Sequence, residues 1–552
     1  MKRILVIGVL ALFSLGFVPN TYRFKTEDPK ALWVDSIYNK MSLKEKVGQL
    51  FMVAAYSNRD SKHIDSIQKL IQTNGIGGLI FFQGGPVRQA NLTNSYQAIS
   101  KVPLLIGMDA EWGLNMRLDS TSGFPYNMTL GAIQDEAIIK QIGQQVGRDA
   151  KRLGVHLNFA PVVDINTNAD NPIIGVRSFG EDKLNVTNKA LAFTEGIQSE
   201  GILACAKHFP GHGDTATDSH KTLPTVNFSK ERIEEVEFYP FKALFKKEVA
   251  GVMVAHLNVP SLETQIGLPS SLSYNIVSNI LKTQLDFKGL VFTDALNMKG
   301  VANYKAPGDV DLAAFKAGND VLLFTNNATK GISKIVEAYH NNEITEARLS
   351  HSVKKILAAK YDVNLNHFKP IETEGLVADL NSDTNKSLNI AALTNAITVA
   401  KNNNQILPIQ TNKTEKAAFL KLGDGDSNTF LNALKLDANV SDVSDVEPSK
   451  LLKVLKAYDK VIISYHRLNY RDVKKISSDN TALIEEIAKD NQVVLNVFAS
   501  QYCLKALDFK NIEGVIISYE NTVVAQGISA QITIGKKEAL GTLPASINAD
   551  FN

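Results

Sequence analysis

Eight short apolar runs punctuate the first two thirds of the chain: QLFMV ending at Val53, GGLIFF at Phe82, PLLIGM at Met108, VHLNFA at Ala160, ILACA at Ala206, GVMVA at Ala255, LVFT at Thr293 and DVLLF at Phe324. Between most of them lie segments such as SKHIDSIQKLIQTNG and SKERIEEVEFYPFKALFKKEV, whose apolar residues recur three and four apart, the period of an amphipathic helix. Buried strands alternating with helices predict a parallel sheet, and eight such units over roughly three hundred residues fit a (β/α)8 barrel of the TIM type. Polar residues follow the runs: Gln83, Asp109, Asp164 slightly downstream, Lys207 with His208, His256 and Asp294. In such barrels chemistry sits at the carboxyl ends of the strands, so these positions are the first candidates for a site.

The texture changes near Ile371, where TEGLVADLNSDTNKS is polar and turn-rich. A second set of runs follows, AAFLKLG, KVIISYH, VVLNVFAS and GVIISYE, short buried strands separated by helical stretches. Residues 23–370 are therefore expected to form the barrel and 371–552 a smaller α/β domain with an open sheet. Ser464, Tyr465 and His466 at one strand end are a possible second site, with nothing else converging on them.

Composition narrows the function classes. Lys and Arg number 59 against 57 Asp and Glu, a formal charge of +2, which gives no electrostatic footprint for nucleic acid. Lys2 and Arg3 precede an apolar run from Ile4 to Val18, the build of a secretory leader over residues 1–22 and short for a membrane span. Export, to the periplasm, is the expectation, with an uncleaved anchor as the alternative and membrane contact confined to that segment. Cys205 and Cys503 are too distant in sequence to suggest a disulfide framework and read as buried thiols.

The densest chemistry lies in KHFPGHGDTATDSH, residues Lys207 to His220. His208 and His212 superficially resemble zinc ligands, but Pro210, Gly211 and Gly213 break the helix that an i, i+4 pair would need. No metal and no cofactor is expected. Asp218 and His220 read either as an acid/base dyad, since a carboxylate beside an imidazole favours its protonated form near neutral pH, or as part of a turn with a capping hydroxyl. Asp294 at a strand tip is either a nucleophile or the N-cap of a helix starting near Leu296. A carboxylate nucleophile with a proton donor is the minimal equipment for glycoside cleavage with retention of configuration.

Taken together, GMDAEWG, NPIIGVRSFGED, KHFPGHGDTATDSH and FTDALNMKG resemble glycoside hydrolase family 3, in its β-N-acetylglucosaminidase branch. The resemblance spans roughly Ser36 to Lys360 and continues into a C-terminal α/β domain ending in GTLPASI. It implies Asp294 as nucleophile, His220 supported by Asp218 as acid/base, and Asp109, Arg117, Arg177, Lys207 and His208 as sugar-binding residues, with His212 ordering its loop. The implied reaction is exo-hydrolysis of terminal β-linked N-acetylglucosamine from a cell-wall or chitin-type oligosaccharide. A phosphorylase and a catalytically silent sugar-binding barrel are the alternatives. Two readings of single residues stay open: Arg177 as a partner of Glu181 or Asp182, and Trp112, where the bacterial branch commonly has Gly, as a sugar-stacking platform or as a wall that changes which aglycone fits.

Overall fold

The structure is a computed structural model and describes residues 28–215, 217, 221–409, 415–469, 474–548 and 551. All eight apolar runs of the first region contain or overlap strands: β1 Phe51–Ala55, β2 Gly78–Phe81, β3 Leu105–Met108, β4 Leu157–Asn158, β5 Leu203–Phe209, β6 Gly251–Val254, β7 Leu290–Thr293 and β8 Leu322–Leu323. They are parallel and follow one another in chain order around the sheet, with β8 returning beside β1. The remaining seam is closed by a bridge between Phe292 and Val321, so the sheet forms a barrel.

Interior packing explains why the runs are apolar on both faces. Phe159 and Phe292 meet edge-on inside the barrel at 5.3 Å between centroids, while Gly107 on β3 makes room for the Phe159 ring, which a Cβ there would approach to 2.9 Å. Outside, helices cover the sheet. Ser61–Asn74 begins where the Asp60 side chain accepts from the His63 N–H and stops at Gly75, whose φ of 60° lies in the left-handed region. SKERIEEVEFYPFKALFKKEV is helical with a π-helical segment at Ile233–Glu237 and continues regularly over Phe238–Lys246.

The second sheet is built from β9 Thr398–Asn402, β10 Ala417–Gly423, β11 Val440–Asp442, β12 Lys460–His466, β13 Gln492–Phe498 and β14 Gly514–Ile517. Its spatial order is β11-β10-β12-β13-β14-β9. Five strands run parallel and β9 runs antiparallel beside β14, making it an open mixed sheet. One face packs a local cluster around Phe419, Phe430 and Phe498; the other joins an apolar core continuous with that of the barrel. Between the sheets, helix Asp383–Ala396 is tied to barrel helix Glu136–Arg152 by Asn385 Nδ2 donating to Asp149 Oδ2 at 2.7 Å. The leader predicted over residues 1–22 lies outside the described residues, and among those described no helix is long and apolar enough to cross a membrane.

Candidate active site

A pocket of about 530 Å³ opens at the carboxyl ends of the barrel strands. Asp109, Arg117, Arg177, Lys207, His208 and Asp294 all line it, and Glu111 and His212 join them. Regular alternation would send Lys207 and His208 to opposite sides of β5. The register of β5 against β6 slips between Lys207 and Phe209, and this irregularity lets both side chains reach the same pocket.

The floor is a chain of buried charges. Lys207 Nζ lies 2.7 Å from Asp109 Oδ1 and 2.8 Å from Glu111 Oε1. Arg117 Nη2 pairs with the other oxygen of Asp109 at 2.5 Å, and the Arg117 guanidinium also sits 4.7 Å over the Phe82 ring. Arg177 holds Glu111 through two contacts, Nη2 to Oε1 at 2.7 Å and Nε to Oε2 at 3.0 Å. Glu111 is fully buried and Lys207 is 2% exposed. Burial by itself would raise the Asp109 and Glu111 carboxyls, but Lys207 and the two arginines outweigh it: Asp109 is held far below its ordinary range and Glu111 down to about 2. Both are carboxylates at any physiological pH, fixed as acceptors for hydroxyl groups, and the cations they orient are donors.

A second network positions the imidazoles. Asp164 Oδ2 accepts from His208 Nδ1 at 2.7 Å, and Asp164 Oδ1 accepts the His212 backbone N–H at 2.7 Å. His208 therefore presents Nε2 to the pocket, 3.5 Å from Arg177 Nη2. His212 Nδ1 meets Thr215 Oγ1 at 2.7 Å, and burial lowers its pKa to about 4, so it orders the loop as a neutral ring. Neither imidazole's Nδ1 points at the other ring, whose centroids stand 5.9 Å apart.

Asp294 follows β7. Its Oδ1 accepts from the Ala295 N–H at 2.7 Å. Burial pushes its carboxyl up, yet the net shift is downward because His208, His256, the Ala295 N–H and Lys207 all favour the anion. The N-cap reading of this residue is corrected: the next helix starts at Lys299 after Met298, without a side-chain cap. His256 is fixed behind it by Ser271 Oγ at 2.7 Å and by donation from Nε2 to the Ala295 carbonyl at 3.1 Å. An ionised carboxylate held in a pocket of oriented donors and acceptors can attack an electrophilic carbon of a polyhydroxylated ligand.

The description "Glycosyl hydrolase family 3 N terminal domain" matches residues 42–359. The chain belongs to glycosyl hydrolase family 3. Among curated relatives, Beta-hexosaminidase A of Pseudoalteromonas piscicida is 31% identical over 381 residues, which cover 63% of this chain and 62% of that one. A protein of Cellulomonas fimi named Beta-N-acetylglucosaminidase/beta-glucosidase is 27% identical over 412 residues, 73% of this chain and 72% of its own. A solved family 3 β-N-acetylglucosaminidase from Paenibacillus sp. str. FPU-7 superposes with a TM-score of 0.75 at 29% identity, covering 92% of this chain and 99% of that structure.

Within this family 3 barrel three expectations need correction. Arg177 pairs with Glu111; Glu181 accepts instead from Ser546, and Asp182 caps the helix beginning at Lys183. Trp112 is 7% exposed and packs edge-on against Tyr126 at 4.6 Å, away from the pocket lining, so it is a wall under the loop rather than a stacking platform. Gln83 is exposed and outside the lining, where Phe82 stands in its place. Glu111 is the residue that sequence reasoning missed, while Asp164 stands among the strand-tip candidates without the role of holding His208 and the His212 N–H. Glu111 carried a signal, since it lies two positions beyond Asp109 and an extended segment puts both on one side. Ser464, Tyr465 and His466 do not join this pocket: His466 is buried, stacked on Phe498 at 4.2 Å, hydrogen-bonded to Ser464, and 2.8 Å from Asn521 Oδ1. Asp218 and His220 lie outside the described residues.

Proposed function

We propose that the chain is a retaining, exo-acting β-N-acetylglucosaminidase that releases terminal β-linked N-acetylglucosamine from cell-wall or chitin-type oligosaccharides after export, in the periplasm. The observation that carries this reading is Asp294, an ionised carboxylate in one pocket with the interlocked Asp109, Arg117, Lys207, Glu111, Arg177 and His208. The names of the Pseudoalteromonas and Paenibacillus relatives support the sugar. In this reading the Asp294 oxygen attacks the anomeric carbon while His220, supported by Asp218, protonates the departing glycosidic oxygen. That gives a glycosyl ester and a neutral imidazole. His220 then takes a proton from water, whose oxygen attacks the anomeric carbon and frees Asp294.

Asp294→Ala is expected to lower turnover of an aryl β-N-acetylglucosaminide by about a thousandfold or more, equivalent to some 4 kcal/mol of barrier. Unchanged turnover would sink the mechanism, whereas a wild type that binds the sugar and turns over no such substrate would favour the silent sugar-binding barrel. Running the wild-type reaction in inorganic phosphate separates hydrolysis from phosphorolysis, because only the latter yields sugar 1-phosphate in proportion to phosphate.

A further inference from the structure

Among the described residues, every one that lines the pocket belongs to the barrel, from Ile80 to Phe324. The second domain nevertheless grips both loops whose tips meet at the pocket floor. The Glu111–Arg177 pair spans those loops, one following β3 and carrying Glu111, the other following β4 and carrying Asp164 and Arg177. On the first, Oε1 of Glu520 accepts from the Tyr126 N–H at 2.9 Å and from Thr129 Oγ1 at 3.0 Å. Tyr126 in turn supports Trp112, the neighbour of Glu111.

On the second loop, Tyr502 Oη accepts from Asn166 Nδ2 at 2.9 Å, and Lys505 Nζ pairs with Asp170 at 2.6 Å. The Asn166 N–H closes this loop on the Gly180 carbonyl at 2.9 Å. Gly180 lies so close to the second domain that a Cβ would approach the Pro544 carbonyl oxygen to 2.3 Å. The loops are also stitched to each other, Asn127 Nδ2 donating to the Arg177 carbonyl at 2.7 Å. Tyr502 is 2% and Glu520 5% exposed, so these bonds are made away from water, where an unmatched partner is costly.

We infer that Tyr502 and Glu520 are positioning residues for the Glu111–Arg177 pair, through which the second domain sets the affinity of the pocket for its sugar. This rests on the pocket being the sugar site. The domain acts by fixing the spacing of two loops, so its loss is felt in binding before chemistry, because Asp294 hangs from β7 on the other side of the barrel.

The test uses full-length Tyr502→Phe, Glu520→Ala and Glu520→Gln, assayed for kcat and KM on an aryl β-N-acetylglucosaminide and for amide hydrogen exchange over residues 166–180. Tyr502→Phe keeps the ring and removes the acceptor; Glu520→Gln keeps one carbonyl oxygen, which suffices because a single oxygen takes both bonds. Tyr502→Phe and Glu520→Ala are expected to raise KM about fivefold or more with kcat within about twofold, and Glu520→Gln to restore KM. Tyr502→Phe should also speed exchange across 166–180. Unchanged KM in Tyr502→Phe, or a fall in kcat at constant KM, overturns the inference. If the wild type turns over no aryl β-N-acetylglucosaminide, the proposed function fails, and exchange decides the brace: faster exchange in Tyr502→Phe supports it and wild-type exchange overturns it.

Discussion

Two buried lysines at opposite ends of the barrel behave in opposite ways. Lys207, at the carboxyl end, is 2% exposed and flanked by Asp109 and Glu111, and its pKa is raised because those carboxylates outweigh the cost of burial. Lys360, at the amino end, is fully buried against Gln49 Oε1 at 2.6 Å, and burial lowers its pKa to about 7. No carboxylate among the described residues lies within ion-pair distance of it. Burial is thus the same for both, and the partner decides the charge: the ligand-facing end of the barrel stores fixed ions, while the opposite end holds an amine that can surrender its proton.

The same substitution made at both lysines breaks this comparison most sharply. Lys207→Met leaves Asp109 and Glu111 without their shared cation and is expected to destabilise the protein by about 3–5 kcal/mol. A urea denaturation midpoint would register it, and sugar binding should be lost with it. Lys360→Met should do the reverse near pH 6–7, stabilising by roughly 2 kcal/mol once the lost Gln49 hydrogen bond is subtracted. Because the folded pKa of Lys360 lies below its unfolded value, the unfolded chain binds the extra proton between about pH 7 and 10.5. Its contribution therefore rises with pH through that window, by about 1.4 kcal/mol per unit. Thermal melts from pH 6 to 10 should show that rise in the wild type and not in Lys360→Met.

Acid offers a further contrast. Glu111, lowered from 4.5 to about 2, contributes stability that is complete above pH 4.5 and lost as pH falls toward 2. Glu111→Gln should flatten that part of the acid unfolding curve while raising KM, since Arg177 and Lys207 lose a charge partner. The smallest effect is expected at the amino end, where His156, its pKa lowered to about 3 by burial and by Lys360, accepts the Ile106 N–H at 3.1 Å. His156→Phe should cost about 1 kcal/mol in a denaturant titration and leave the pH 7–10 slope unchanged.

The barrel strands are legible in sequence because parallel strands covered on both faces are unbroken apolar runs. Even β4 and β8, of two residues each, sit inside such runs. Thr398–Asn402 and Val440–Asp442 escape that reading because they are edge strands with polar, half-exposed residues. The strand-tip pattern finds Asp109, Asp164, Lys207, His208 and Asp294. Arg117 and Arg177, carried on loops, come only through the family resemblance, since nothing periodic marks a loop residue that folds back over a pocket. Trp112 is misread for the same reason: the Phe124 N–H returns to its carbonyl at 2.8 Å, and the loop closes over it.

The seam of the barrel gives the residue before the nucleophile a use. β8 meets β7 across Val321, and the Leu323 N–H is satisfied by the hydroxyl of Thr293 at 3.0 Å. A side chain thus supplies the final stitch of the cylinder, one position before Asp294. Valine has the outline of threonine but no oxygen, so at position 293 it would leave the Leu323 amide without that acceptor and loosen the wall from which the attacking carboxylate hangs.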